Sequence, residues 1–299
     1  MAKIESLEND LGSYIKKSKR IRAFFPYFGG KSIILPRLLK IVPYTKIYCE
    51  PFFGSGRLFF NRRLSPIEIV NDRYENIINL MNIIKNDKDY QELRKMLDCT
   101  LYARDEFKHA LEIIKTNRGS STSRAWAFFV VVIMSMNHTA NKNNTTQGNW
   151  ATSKTTRKGF AEIPVGFRDY ISNLDFIRDR LKYSYIENRD AIEVIQNWDS
   201  EETVFYLDPP YLPETRKMGR GTYNCEMSVK DHVSLLRIIK QCRGLVCLSG
   251  YESDLYREAL MDWNSEIVDV HETYTKERRQ EVIWYNNHMQ QYGQNCFDW

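Results

Sequence analysis

The sequence predicts an α/β protein built on an open, mostly parallel sheet, and three stretches predict it. Val204-Phe205-Tyr206-Leu207 has strand composition and stops at Asp208-Pro209-Pro210-Tyr211. Residues 45–50 run into Pro51-Phe52-Phe53-Gly54-Ser55-Gly56, and residues 67–70 end at Asn71-Asp72. Short β-branched and aromatic runs that end in glycine, proline or a carboxylate, with helical patterns after them, read as βα units. Such units build parallel sheets, and ligands bind outside the carboxyl ends of the strands.

The chain has 299 residues, enough for one large α/β domain or a core with an insertion. Hydrophobic residues make up 42% and charged residues 27%, as in soluble globular proteins. A net charge of +5 permits a polyanionic partner without demanding one. Six cysteines form no C-x-x-C pair, so free thiols in a reducing compartment are expected, not a zinc site or a disulfide frame. The first residues lack a signal-peptide core, and the longest apolar run, 125–134, is too short to span a membrane. A cytoplasmic protein is expected, with no membrane and no metal.

Residues 1–22 begin acidic and end basic (Lys16, Lys17, Lys19, Arg20, Arg22), as a solvated arm does; a phosphate contact is the alternative. Tyr27-Phe28-Gly29-Gly30-Lys31-Ser32 then precedes the helical pattern Ile33, Ile34, Leu38, Leu39. A P-loop needs glycine where Phe25 stands, so a triphosphate site is excluded. What remains is a glycine turn with an aromatic before it and a lysine at the helix start.

The strand at 45–50 leads through Glu50-Pro51-Phe52 into Gly54 and Gly56, and a helix is expected over 57–61. The dinucleotide fingerprint wants glycine at Phe59, so that motif is incomplete. Two glycines still let the backbone approach a ligand closely. Asp72 ends the next strand, where an acidic residue can hold ribose hydroxyls; capping of the following helix (Ile77, Ile78, Leu80, Met81, Ile84) is the plain alternative.

Residues 85–115 read as charged helices. The span 113–161 has no Asp or Glu, yet carries Lys115, Arg118, Arg124, Lys142, Lys154, Arg157 and Lys158 among many Ser, Thr, Asn, Gln and Gly residues. Cations and neutral amides without carboxylates suit a face for phosphates and base edges. The apolar run 125–134 is expected to be a buried helix anchoring it.

A helix is expected over 170–181, a strand over 183–187, and Asp190 at its end either caps the next helix or reads a ring amine. After Tyr211, the loop with Arg216, Lys217 and Arg220 is placed to hold a nucleic-acid backbone. A helix over 232–240, a strand over 244–248, and a hairpin of strands 266–270 and 281–285 with the basic tip Tyr274-Thr275-Lys276-Glu277-Arg278-Arg279 close the chain.

Asp208-Pro209-Pro210-Tyr211 carries the chemistry. Neither proline donates a backbone hydrogen bond and each fixes φ, so Asp208 is expected on a rigid turn at a strand's carboxyl end. Its carboxylate and the neighbouring carbonyls accept hydrogen bonds, and Tyr211 offers a flat face for a base. A planar amine suits this site, a nucleobase foremost; a bare proline turn is the alternative.

Taken in order, Tyr27-Phe28-Gly29-Gly30-Lys31, Glu50-Pro51-Phe52-Phe53-Gly54-Ser55-Gly56, Asn71-Asp72, a long insertion and Asp208-Pro209-Pro210-Tyr211 resemble the Dam-like DNA adenine-N6 methyltransferases over about residues 22–286. The resemblance implies a Rossmann-like methyltransferase sheet of seven strands, S-adenosyl-L-methionine as cofactor, and double-stranded DNA as substrate. It assigns the catalytic domain to residues 1–84 and 171–299, and a mostly helical target-recognition insertion to 85–170. It matches Tyr27 and Lys31 to cofactor contacts, Asp72 to the ribose, and Asp208 to the cofactor and target amines. Tyr27 departs from the tryptophan of some members, and residues 137–156 match no pattern that assigns base-reading residues. A monomer or weak dimer, associated with the nucleoid, is expected. Rival readings are methylation of a cytosine amine, of RNA or of a glutamine amide, and an inactive DNA-binding relative. Serine in the first position of the tetrapeptide goes with cytosine and asparagine with glutamine, so Asp208 leans to adenine.

Overall fold

The computed structural model of the protein describes residues 23–26, 31–136, 150–215, 225–271 and 278–292. Helix α1 (Leu35–Ile41) accepts a proline in its first turn, where the missing N–H has no helical partner to lose. Strands β1 (Ile47–Glu50) and β2 (Ile67–Asn71) follow. Then come α2 (Glu75–Lys85), α3 (Asp87–Cys99), α4 (Arg104–Thr116) and α5 (Ser121–Met134). A small hairpin, β3 (Thr156–Arg157) and β4 (Phe160–Ala161), leads to α6 (Glu162–Ser172) and α7 (Leu174–Leu181). The chain returns through β5 (Ser184–Glu187), α8 (Ala191–Trp198), β6 (Thr203–Leu207), α9 (Val229–Ile239), β7 (Leu245–Tyr251) and α10 (Asp254–Ala259). It ends in β8 (Asn264–His271), β9 (Arg278–Tyr285) and α11 (Asn287–Tyr292).

The large sheet has seven strands in the order β5-β2-β1-β6-β7-β9-β8. Pairing is parallel from β5 through β7, while β9 runs antiparallel to both neighbours. The chain moves outward from β1 through β2 to β5, then crosses back to place β6 on the other side of β1. That reversal leaves a crevice outside the carboxyl ends of β1 and β6, the place where open sheets bind ligands.

The side-chain period of two sorts the strands onto two cores. Tyr48, Val70, Val204 and Tyr206 pack with α1, α2 and α5, whereas Cys49, Ile69, Phe205 and Leu207 pack with α8 and α9. Every residue of β6 is buried, as expected of a central parallel strand covered on both faces. Helix α5 is buried at every position from 125 to 134, so it is apolar all round and forms the axis on which α2, α3 and α4 pack. The buried residues of α3, α4 and α5 belong to the same core as β1 and β2, so these helices extend the sheet's own core.

A buried ion cluster ties the end of these helices to the sheet. Arg180 of α7, 1% exposed, grips Glu68 of β2 with both terminal guanidinium nitrogens, one of them at 2.7 Å. The Ser65 N–H reaches the same carboxylate at 3.0 Å. One element here differs from the sequence pattern. A helix expected over 170–181 is a pair that begins at Glu162 and breaks at Asn173. Pro164 sits harmlessly in its first turn, and Gly166 lowers its helix propensity, which hides it from the pattern. Among the described residues, no helix is long and apolar enough to cross a membrane, and no cluster of His, Cys, Asp and Glu is arranged to hold a metal.

Candidate active site

The crevice is floored by the turn after β1. Gly54 (φ 52°) and Gly56 (φ 61°) both lie in the left-handed region. A Cβ on Gly56 would meet the Phe53 ring at 2.3 Å, so this position excludes any side chain. The turn holds itself through Gly56 N–H to the Phe53 carbonyl at 2.8 Å and Phe53 N–H to the Asn71 carbonyl at 2.9 Å. The helix expected over 57–61 is instead a single 3-10 turn, Phe59–Asn61. Phe59 and Phe60 sink into the core beside Phe53, and Arg62 turns away to Ser65 and the Pro43 carbonyl, which ends the turn.

Asp72 links this turn to β2. One carboxylate oxygen accepts Gly54 N–H and the other accepts Tyr74 N–H, each at 2.8 Å. Burial raises the Asp72 pKa to about 6 against those hydrogen bonds. Asn71, which the sequence pattern leaves without a role of its own, donates to the carbonyls of Pro51 and Arg189 at 2.9 and 3.2 Å and accepts Arg189 N–H at 2.9 Å. It therefore binds the loops after β1, β2 and β5 into one rim. Asp190 caps α8 through Ile192 N–H at 2.9 Å. The same residue also faces the crevice.

A single pocket runs through this crevice. Lys31, Glu50, Pro51, Phe52, Gly54, Asp72, Asp190, Asp208 and Pro210 line it together. Gly56, Pro209 and Tyr211 do not. The Gly54 turn and Asp208 thus share one cavity. Burial pushes the Glu50 carboxyl well up, with Tyr48 donating to it at 3.3 Å.

Asp208 stands just past the end of β6, on the proline turn expected for it. Its Oδ1 receives the Lys31 ammonium at 2.9 Å and the Ser249 hydroxyl at 3.2 Å. No described residue donates to Oδ2. Burial raises the Asp208 pKa to about 6, Lys31 works against that, and Glu281 adds to it. Burial also works against the Lys31 ammonium, but Asp208 and Glu281 outweigh it and raise its pKa.

One further feature departs from the sequence reading. Tyr211 is 7% exposed, its ring lies 4.4 Å from that of Tyr251, and its hydroxyl donates to Glu281 at 2.6 Å. The face expected to be free for a base is covered. Lys31 lines the pocket, and its ammonium meets Asp208, Glu281 and the Tyr211 hydroxyl. Glu281 is the site residue that sequence reasoning missed; a carboxylate opening the apolar run Val282-Ile283-Trp284 was its only signal. Tyr27, Gly29, Gly30, Lys142, Arg216, Lys217 and Arg220 lie outside the described residues, as do the arm 1–22 and much of the basic tip.

The remaining cations of the acid-free span do not form one patch. Arg118 and Arg124 flank the amino end of α5, and Arg124 donates to Ser121 at 3.3 Å. Trp150 and Ala151 pair with the carboxyl end of that helix, about 20 Å away at 1.5 Å rise per residue. Lys154 is exposed, Lys158 sits exposed at the hairpin tip, and Arg157 is ion-paired with Asp169.

The family profile of the D12 class N6 adenine-specific DNA methyltransferases matches residues 27–276. The chain is 24% identical over 254 residues to a DNA adenine methylase of Serratia marcescens, covering 80% of this chain and 87% of that one. DNA adenine methylases of Salmonella typhimurium and Escherichia coli K12 are also 24% identical, each over 80% of this chain and 84% of the relative. The glycine turn, the Asp208 edge and every strand of the large sheet but β9 fall inside the matched span, and on that match the chain belongs to the D12 class of N6 adenine-specific DNA methyltransferases.

Proposed function

We propose that the chain transfers a methyl group from S-adenosyl-L-methionine to the exocyclic amine of an adenine flipped out of double-stranded DNA. The observation that carries this reading is one pocket lined by both the Gly54 turn and Asp208, at the reversal point of a parallel sheet. The pocket chemistry fits a cationic donor: Asp72 and Asp208 put carboxylates along it, Glu50 adds a buried carboxyl acceptor, and Phe52 and Ile192 give apolar walls for a flat ring. Asp72 has lone pairs left for ribose hydroxyls after accepting two backbone N–H groups. When bound, the cofactor supplies an already activated sulfonium methyl, so the residues need only deal with the amine.

That amine is a poor nucleophile because its lone pair is delocalised into the purine ring. Asp208 Oδ2 and the Pro209 carbonyl accept its two hydrogens, favour a tetrahedral nitrogen and free the lone pair. The nitrogen would take the methyl that the bound donor supplies, while Asp208 and the Pro209 carbonyl would hold the amine as one of its protons passes to solvent. Fixed acceptors aimed at developing positive charge contribute roughly 3–4 kcal/mol per group. A base within a duplex cannot reach this edge, so it flips out. Residues 85–170 act as the recognition segment, with Arg118, Arg124, Lys154 and Lys158 toward phosphates.

Expression in a methylation-free host followed by mapping of modified bases tests the reading. Methylated adenines are expected with the wild-type chain and none with Asp208→Ala, while DNA binding by Asp208→Ala stays near wild type. Methylation of cytosine instead, or loss of DNA binding equal to loss of transfer, would refute it.

A further inference from the structure

We infer that Glu281 is a positioning residue for Asp208: it holds Lys31 and the Tyr211 hydroxyl so that Lys31 stays on Oδ1 and Oδ2 remains open to the target amine. The inference rests on the reading of Asp208 as acceptor for that amine.

The placement follows from the sheet. Strand β9 runs against β7, so its beginning lies at the carboxyl edge of the parallel strands. Register puts Glu281 opposite Tyr251, two residues beyond Ser249, which itself donates to Asp208. Glu281 is 6% exposed and precedes three buried apolar residues. A carboxylate buried there is costly unless it is paired and hydrogen-bonded. Its Oε1 takes the Tyr211 hydroxyl at 2.6 Å and the Lys31 ammonium.

Lys31 has three donors and three acceptors: Asp208 Oδ1, Glu281 Oε1 and the Tyr211 hydroxyl. A lysine alone on a four-carbon stem is mobile, but one fixed from three sides has a single position. The lysine then fills Oδ1 together with Ser249, and Oδ2 is the oxygen left for substrate. Two carboxylates around one ammonium also leave a net negative charge beside the nitrogen that becomes positive in the transition state. The Tyr211 ring, pressed on Tyr251 with its hydroxyl on Glu281, belongs to the same support.

Titratable and polar groups face Asp208 from every side: Lys31 before α1, Ser249 on β7 and Glu281 on β9 act on its charge, and Glu50 on β1, Tyr206 on β6 and Tyr256 on α10 feel it in turn. Of these, Lys31 and Ser249 favour the ionised carboxylate and Glu281 disfavours it. Removing the Glu281 charge therefore makes Asp208 a stronger acid.

The test is Glu281→Gln, which keeps the shape and an acceptor oxygen but removes the charge. Single-turnover methyl transfer is followed across pH, with donor and DNA affinities measured separately. The expected result is a transfer rate lowered about tenfold to hundredfold, as for small misplacements of a reacting group. The acid limb of the rate profile moves to lower pH, and both affinities stay near wild type. Glu281→Asp, which restores the charge but not the reach, is expected to return the acid limb while the rate stays low. An unchanged rate and acid limb in Glu281→Gln overturn the inference, as does a loss seen only in donor affinity. If a variant melts far below wild type, the same comparison made on Tyr211→Phe decides: a wild-type transfer rate there overturns it. No transfer by the wild-type chain strikes the underlying reading instead.

Discussion

The Asp72 carboxylate accepts the Gly54 backbone N–H at 2.8 Å across eighteen residues of chain. Gly54 is in the left-handed region, so the turn needs an external partner to fix which way its amide points. Asp72 supplies that partner and shapes the pocket floor before any ligand arrives. Asp72→Ala is expected to weaken S-adenosylmethionine binding by about 1.5–3 kcal/mol, the usual worth of a hydrogen bond to a charged group. The wild-type affinity is also expected to fall as pH drops below the raised Asp72 pKa of about 6, and Asp72→Asn to show a smaller fall, with Asp208 still titrating in the same range. Calorimetric titration across pH reads both effects; a pH-independent wild-type affinity would remove Asp72 from the donor site.

Asp208 makes activity costly to the fold. Burial holds its folded-state pKa near 6, above that of an unfolded aspartate, so the folded chain binds a proton more tightly. Stability from this group is therefore present at low pH and is lost as pH rises through about 6. At neutral pH the ionised form is a burden, discounted because a quarter of the side chain is exposed. Asp208→Asn is expected to abolish transfer yet melt higher at neutral pH, by the equivalent of about 1–2 kcal/mol. The gain should vanish by roughly pH 4, where both pKa values have been crossed. Thermal melts at several pH values check this; a variant that melts lower at neutral pH means that Lys31 needs Asp208 more than burial penalises it.

The Glu68–Arg180 pair is a matter of folding alone. Both groups are almost fully buried, and the contact joins α7 to β2 across the sheet's core. Glu68→Ala leaves the Arg180 charge buried with only the Phe59 carbonyl at 3.3 Å and its cation–π contact with that ring. The expected cost is about 3–5 kcal/mol in urea melts, with the residual transfer rate per folded molecule unchanged. A cost under roughly 1 kcal/mol would mean that water reaches the arginine in place of the carboxylate.

What could be read from the sequence was whatever depends on local chemistry. The prolines after Asp208 announce the end of β6, glycines announce the turn at Gly54, and the apolar run at 125–134 announces a helix buried on all sides. The helix expected at 57–61 was not there because two adjacent phenylalanines gained more from the core than the backbone gained from helical bonds. Glu281 escaped for another reason. It lies 250 residues from Lys31, and only the antiparallel placement of β9 brings them together. Nothing local distinguishes it from any glutamate at a strand start. Tyr211 follows the same rule: its sequence neighbours suggest an open ring, whereas its fate is set by Tyr251 on the neighbouring strand and Glu281 one strand further.

The hairpin β3–β4 separates two arginine and lysine roles that sequence alone treats alike. Lys158 (φ 54°) and Gly159 (φ 79°) both adopt left-handed backbone, which makes a tight two-residue turn with its tip in solvent. Arg157, one residue earlier, is drawn onto Asp169 of α6 and locks the hairpin to the helix. Lys158 is therefore free to neutralise a phosphate and Arg157 is not. Lys158→Gln is expected to weaken DNA binding at every sequence and to lower the slope of log affinity against log salt by about one unit. Arg157→Gln is expected to leave the slope nearly unchanged and to loosen the hairpin, seen as faster amide exchange at residues 156–161. Salt titrations of both variants on one duplex decide the matter. An equal fall in slope for the two would mean that DNA displaces Asp169 from Arg157, and an unchanged slope for Lys158→Gln would take the hairpin out of the DNA interface.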